Sequence, residues 1–113
     1  MHEVRIATEI ISIVRKEVVS RGLGSISEIG LRIGLLSGVD PDALAFSFEA
    51  ATSGTEMQST RLVIEKVPVR AVCQACTKEF EVEGYLFVCP ACESTDVRVT
   101  EGEELDIAWL SSA

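Results

Sequence analysis

The spacing of hydrophobic residues predicts a helix followed by a strand in the first third of the chain. Residues 4–21 repeat apolar side chains at intervals of three and four, which indicates an amphipathic helix. Residues 29–35 then alternate apolar and polar positions, which indicates a half-buried strand. Gly30 and Gly34 leave one face of this strand without side chains, so another backbone or a helix can pack closely there.

A second helix and a second strand follow. Asp40 is a good N-cap and Pro41 suits the first helical position, so these two residues predict the start of a helix that runs to about Ser53. Residues 60–67 alternate again and predict a strand.

The pattern is then interrupted and resumes near the end of the chain. Residues 69–99 lose helical periodicity and contain all four cysteines, whereas residues 104–111 alternate again and contain the only tryptophan, Trp109. A small cysteine-rich module has little room to bury a tryptophan. We therefore expect residues 104–111 to return to the sheet of the first region, which makes the cysteine segment an insertion.

The four cysteines form two pairs, Cys73-Gln74-Ala75-Cys76 and Cys89-Pro90-Ala91-Cys92, separated by twelve residues. Two residues between cysteines let one tight turn direct both sulfurs at one ion, and two such turns complete a tetrahedron of soft thiolates that zinc favours. Four sulfurs leave no ligand position for water, so the predicted site is closed and structural. Short strands at 80–82 and 85–88 would complete a zinc ribbon.

The predicted fold is α+β, with two helices packed on a small three-stranded sheet and an inserted zinc-ribbon module. The predicted domains are residues 1–68 together with 104–113, and residues 69–103.

Two other uses of the same cysteines remain open at this point. Glu3 and Arg5 stand where a signal peptide would have its basic and apolar regions, so we expect a reducing cytoplasm, which disfavours two disulfides. Iron could occupy the same four ligands in a small electron-transfer protein, and the sequence alone does not decide between iron and zinc.

The charge and the composition exclude several classes of function. Ten basic and eighteen acidic residues give a net charge of −8, which argues against nucleic acid or an anionic membrane as partner. No apolar stretch approaches the roughly 18 residues of a membrane span. The sequence also has no phosphate-binding glycine loop and no nucleophile–base arrangement, so we do not expect an enzyme.

The start of the chain offers a second set of metal ligands. The α-amine of Met1, the backbone nitrogen and imidazole of His2, and the backbone nitrogen of Glu3 can form a square-planar set, a geometry typical of Ni(II) or Cu(II). Glu3 adds a nearby carboxylate. A lone terminal histidine is more often an ordinary solvated residue, and Asp40 is a helix cap first, so chemistry alone leaves this site open.

The start Met1-His2-Glu3, the segment Gly34-Leu35-Leu36-Ser37-Gly38-Val39-Asp40 and the two cysteine pairs together resemble the HypA/HybF family of nickel-insertion proteins for [NiFe]-hydrogenase. The resemblance covers essentially the whole chain. It implies a metallochaperone with Ni(II) as transient cargo and Zn(II) as a structural ion. The nickel site that it implies comprises His2 and the first backbone nitrogens, with Met1, Glu3 and Asp40. The zinc site comprises Cys73, Cys76, Cys89 and Cys92.

The same resemblance implies the partners. They are the GTPase HypB and the large subunit of the hydrogenase, and some family members also serve urease maturation. The alternative is a zinc-ribbon adapter that recognises another macromolecule and has no role in nickel handling.

Overall fold

The computed structural model describes residues 2–113, which form two compact units. The first unit comprises residues up to Arg32, Val39–Glu65 and Asp106–Ala113. The second, called here the cysteine unit, comprises Ile33–Gly38 and Lys66–Leu105. The elements in chain order are α1 (His2–Arg21), β1 (Ile26–Gly34), α2 (Pro41–Thr52), β2 (Arg61–Val67), β3 (Arg70–Cys73), β4 (Glu79–Glu81), β5 (Val97–Glu101) and β6 (Leu105–Ser112).

Both predicted helices are present, and they contact each other. α1 begins at His2, two residues before the predicted start, and ends at Arg21. α2 has Asp40 as its N-cap and Pro41 in its first turn, as the sequence predicted. Neither helix is long and apolar enough to cross a bilayer. The residues that α1 buries recur at each turn along one side of the helix: Ile6, Ala7, Ile10, Ile11 and Val14.

The structure also contains a three-stranded sheet with the strand order β2-β1-β6. The return of β6 to the first sheet was predicted and is confirmed. In the central strand β1, the alternating residues Ile29, Leu31 and Ile33 are no more than 2% exposed, as expected from the sequence. Gly30 and Gly34 on the opposite face are buried as well, so the strand is more deeply buried than the predicted half-buried alternation. The α+β fold class is therefore confirmed.

The two glycines of β1 are both in close contact with other parts of the chain: Gly34 meets another backbone, as predicted, whereas Gly30 meets a side chain. The indole ring of Trp109 lies on Gly30, where a Cβ atom would be only 2.1 Å from the ring. The backbone of Gly102 lies against Gly34, where a Cβ would be 2.0 Å from the Gly102 carbonyl oxygen. Any side chain at either position would have to displace its neighbour.

The cysteine unit contains a second three-stranded sheet with the order β4-β3-β5, in which β3 pairs antiparallel with both neighbours. One predicted strand of the ribbon, at 80–82, lies one residue earlier as β4. The predicted strand at 85–88 was wrong, because these residues form a turn and a loop in which Tyr85 and Leu86 are 77% and 68% exposed. The strands β3 and β5 take its place in the sheet.

A small hydrophobic cluster holds the cysteine unit together, and it includes the segment that follows β1. Leu36 packs against the cluster, and its backbone N–H donates to the Gly102 carbonyl at 2.7 Å. The buried members of the cluster are Val69, Ala71, Cys73, Phe80, Val82 and Cys89.

Candidate metal centres

Each cysteine pair lies in a turn, and the two turns have the same backbone hydrogen bonds. The N–H of the first cysteine donates to the carbonyl five residues later, and its own carbonyl accepts from the N–H four residues later. The residue four positions on has a positive φ in both turns, 67° at Thr77 and 62° at Glu93. The two segments therefore present their cysteines in the same way. The bonds, all 2.8–2.9 Å long, are Cys73 N to Lys78 O and Thr77 N to Cys73 O, then Cys89 N to Ser94 O and Glu93 N to Cys89 O.

The two turns bring all four sulfurs together, within 4.8 Å of one another. The Sγ atoms of Cys73 and Cys92 are 3.5 Å apart, and those of Cys76 and Cys89 are 3.6 Å apart. A zinc ion with Zn–S bonds of about 2.3 Å holds tetrahedral sulfurs about 3.8 Å apart. The four cysteines are free thiols rather than disulfides, so they form a four-cysteine metal site that is consistent with zinc.

The thiols of this site have unequal acidities. A hydrogen bond from the backbone N–H of Cys92 lowers the pKa of Cys89 to about 6, and one from the N–H of Cys76 lowers the pKa of Cys73. The N–H of Ser94 lowers the pKa of Cys92, but the nearby sulfurs, that of Cys73 first, together with burial raise it to about 12 on balance. Without a cation, the four sulfurs cannot all be thiolates at once, because the pKa values of Cys73 and Cys89 are lowered while that of Cys92 is raised. A divalent ion bound among the four sulfurs stabilises all four cysteines as thiolates.

The start of α1 meets the start of α2. The Oε2 atom of Glu3 accepts a hydrogen bond of 3.2 Å from the backbone N–H of Asp40, and Nδ1 of His2 lies 3.7 Å from the same oxygen. The bond from Asp40, then one from the N–H of Glu3 itself, lowers the pKa of the Glu3 carboxyl below its ordinary value. Glu3 is therefore ionised near neutral pH and adds negative charge at this end of the helix pair.

Asp40 serves α2 as the sequence predicted. Its Oδ1 atom accepts from the backbone N–H groups of Asp42 and Ala43, at 3.0 and 3.3 Å. The structure thus brings together three of the four residues predicted for nickel, namely His2, Glu3 and Asp40. Met1 lies outside the described residues.

These side chains do not form a ready-made cage of the kind that the cysteines form. Within residues 2–113, the four cysteines are the only group of three or more histidine, cysteine or acidic side chains whose ligand atoms cluster closely enough for a metal ion. The family resemblance implied that Asp40 lies near the start of the chain, but the hydrogen bond between the Glu3 carboxylate and the N–H of Asp40 was not predicted. No local signal could reveal it, because the two residues are 37 positions apart.

The whole chain is similar to a known family. Residues 1–112 match the family model described as "Hydrogenase/urease nickel incorporation, metallochaperone, hypA". Proteins of this family are metallochaperones and maturation factors, and the chain is accordingly not an enzyme.

Individual relatives and solved structures agree with this match. The chain is 47% identical over 110 residues to a Geobacter metallireducens protein and 39% identical over 113 residues to one from Chloroflexus aurantiacus, both named "Hydrogenase maturation factor HypA". The first alignment covers 97% of this chain and 97% of the relative, and the second covers 99% of both. The fold matches the solution structure of the Ni metallochaperone HypA from Helicobacter pylori with a TM-score of 0.65 at 21% identity, covering 97% of this chain and 96% of that one. A second solution structure, of a HypA protein, gives a TM-score of 0.74 at 23% identity, covering 100% and 97% of the two chains. From the family model and these relatives, the chain belongs to the HypA family of nickel-incorporation metallochaperones for hydrogenase and urease.

Proposed function

We propose that this protein binds Ni(II) at its amino-terminal end and delivers it during maturation of a [NiFe]-hydrogenase. The observation that carries the proposal is the meeting of α1 and α2, where His2, Glu3 and Asp40 lie together in a protein of a nickel-incorporation family. The proposed donors are the α-amine of Met1, the backbone nitrogen and imidazole of His2, and the backbone nitrogen of Glu3. Asp40 is a further ligand from the rigid part of the fold.

The position of α1 supports the use of backbone nitrogens. The helix begins at His2, and the first four N–H groups of any α-helix have no carbonyl partner within the helix. The amide nitrogens of His2 and Glu3 can therefore release their protons to solvent and bind a metal without breaking a helical hydrogen bond. The His2 side chain is 61% exposed, so an incoming ligand can reach it.

This exposure also suits delivery. A carrier must hold its ion in transit and surrender it on contact with a target. Ligands at the end of a chain can be replaced one at a time by the ligands of the acceptor. Cu(II) binds nitrogen ligands more tightly than Ni(II). Selectivity therefore depends on metal availability and on handover between docked proteins.

We propose Zn(II) as the resident ion of the four-cysteine site, with a structural role. The sulfur distances suit it, and four thiolate ligands leave no position for a substrate. Iron is the competing ion. Metal analysis and the visible spectrum of the purified protein separate them, because a tetrathiolate zinc site is colourless and an iron site is not.

The proposed partners are HypB and the hydrogenase large subunit, with urease maturation proteins as further acceptors. The proposed compartment is the cytoplasm, where four free thiols are maintained. A net charge of −8 favours docking to a basic face of the partner.

The decisive experiment is a Ni(II) titration of untagged protein and of His2→Ala, followed by X-ray absorption at the nickel edge. We expect His2→Ala to lose the site and its nitrogen-rich spectrum. We also expect a short extension ahead of Met1 to abolish binding, because it removes the α-amine. Equal affinities and spectra for wild type and His2→Ala would overturn the assignment of the site.

The alternative of a zinc-ribbon adapter without a nickel role is not favoured. The family match extends over the region before the cysteines as well as over the cysteine segment. An adapter would need only the cysteine unit, so its function would not explain the contacts of Glu3 with His2 and Asp40.

A further inference from the structure

The N-cap of α2 is incomplete by its own sequence. In a capping box, the side chain of the N-cap residue accepts from the first turn of the helix, and a Glu or Gln at the third helical position accepts from the N–H of the cap residue. Asp40 supplies the first half. The third helical position of α2 is Ala43, which has no acceptor.

Glu3 supplies the missing acceptor from another helix. Its Oε2 atom receives the N–H of Asp40 at 3.2 Å. Its side chain is only 14% exposed, whereas the adjacent His2 side chain is 61% exposed. The carboxylate therefore points into the fold, toward the cap of α2.

We propose that Glu3 is a positioning residue whose carboxylate completes the capping box of α2 and so fixes the nickel-binding end of α1 beside Asp40. This proposal rests on the proposed nickel site, and it assigns the Glu3 side chain to a hydrogen bond with the backbone rather than to the metal. The part of Glu3 that serves nickel is its backbone nitrogen.

The same bonds restrict how Asp40 can bind a metal. Its Oδ1 atom already accepts two N–H groups of α2. Asp40 therefore approaches nickel through Oδ2, as a monodentate ligand held in place by the cap.

The test compares two variants at Glu3 that differ in one property. Glu3→Gln loses the charge but keeps a side-chain oxygen that can accept from the N–H of Asp40, whereas Glu3→Ala loses both. Glu9→Ala is the matched control, because Glu9 lies on the exposed side of α1 and pairs with Arg5. Two measurements are made on each protein: hydrogen exchange of the Asp40 amide without nickel, and nickel affinity with the nickel-edge spectrum.

We expect the Asp40 amide to exchange about tenfold or more faster in Glu3→Ala and at nearly the wild-type rate in Glu3→Gln and Glu9→Ala. We expect nickel affinity to fall roughly 10–100-fold in Glu3→Ala, as is usual when a group that orients ligands is lost, and less than about threefold in Glu3→Gln. The spectrum of Glu3→Gln should match that of wild type.

Two results would overturn the proposal. If Glu3→Gln loses nickel as severely as Glu3→Ala and its spectrum loses an oxygen ligand, the carboxylate is itself a ligand. If the Asp40 amide exchanges equally in all four proteins, the hydrogen bond is not present in solution. Failure of the proposed nickel site has a different signature, because His2→Ala would then bind nickel like wild type while the exchange data on Asp40 kept their meaning.

Discussion

The Glu28 side chain interacts with both an aromatic ring and a basic side chain in the first unit. Its Oε2 atom accepts from the indole Nε1–H of Trp109 at 2.8 Å, and its Oε1 atom accepts from the Arg61 guanidinium. The bond from Trp109, and then the one from Arg61, lowers the pKa of the Glu28 carboxyl below its ordinary value. The residue thereby fixes the indole ring on the glycine of the neighbouring strand.

This arrangement predicts an acid transition that Trp109 can report. Because the pKa of Glu28 is lower in the folded than in the unfolded state, its contribution to stability is full above the unfolded pKa. That contribution is lost as the pH falls through the folded pKa. We expect tryptophan fluorescence to change with a midpoint below the ordinary pKa of a glutamate. The change should vanish in Glu28→Gln and persist in Glu9→Gln, and an unchanged transition in Glu28→Gln would contradict the assignment.

Gly30 is required because of the ring that covers it. Gly30→Ala places a Cβ 2.1 Å from the Trp109 ring, so the ring must move away from Glu28. We expect urea denaturation to give a loss of about 1–3 kcal/mol in the free energy of unfolding, the usual cost of overpacking. Gly24→Ala is the control, because no atom lies within 4 Å of its Cβ position. A loss as large in Gly24→Ala would show that close contact is not the cause.

At the scale of elements, the sequence predicted those parts of the fold whose signals are local. α1, β1, α2, β2 and β6 lie within a few residues of their predicted bounds, because each carries its own periodicity or cap. The strands β3 and β5 were not predicted, since they are short and their pairing joins residues such as Val72 and Arg98, far apart in the chain. The false strand at 85–88 came from its hydrophobic residues, yet two of them are exposed.

The cap of α2 separates the structural role of Asp40 from its proposed role at nickel. Asp40→Ala should lower the free energy of unfolding of the protein without nickel, its cysteine site still loaded, by about 1 kcal/mol, because two N–H groups lose their acceptor. Asp40→Asn keeps the acceptor and should unfold at the wild-type urea concentration. Nickel affinity should fall in both variants if the carboxylate is a ligand. A wild-type affinity in Asp40→Asn would remove Asp40 from the proposed ligand set.

At the scale of the whole molecule, the four-cysteine site and the proposed nickel site differ in how far the sequence alone can define them. The cysteine spacing was sufficient for the four-sulfur site, because two residues between cysteines define a turn almost by themselves. The proposed nickel end depends on a contact between residues 3 and 40, which only the folded chain brings together. The two compact units also differ from the predicted domains. The predicted boundaries are continuous stretches of sequence, whereas Leu36 belongs to the cysteine unit because it packs against the hydrophobic cluster of that unit.

Removal of the metal from the cysteine site should affect the two units differently. The cluster of the cysteine unit is small, so a large part of its folding free energy must come from the metal. A chelator under reducing conditions should abolish the exchange protection of the Ala71 and Phe80 amides and leave that of Ile29 in the first unit. Readdition of Zn(II) should restore it. Protection that survives complete removal of the metal would show that the cluster folds unaided.

The course of the chain through the first sheet bears on the order in which the protein is made. β1 is the middle strand and β6 its neighbour, so the first unit takes one of its three strands from a segment that the ribosome produces after every cysteine has been synthesised. Domains generally fold as units during translation. The first unit therefore cannot complete its sheet until the whole cysteine segment and then β6 have been synthesised.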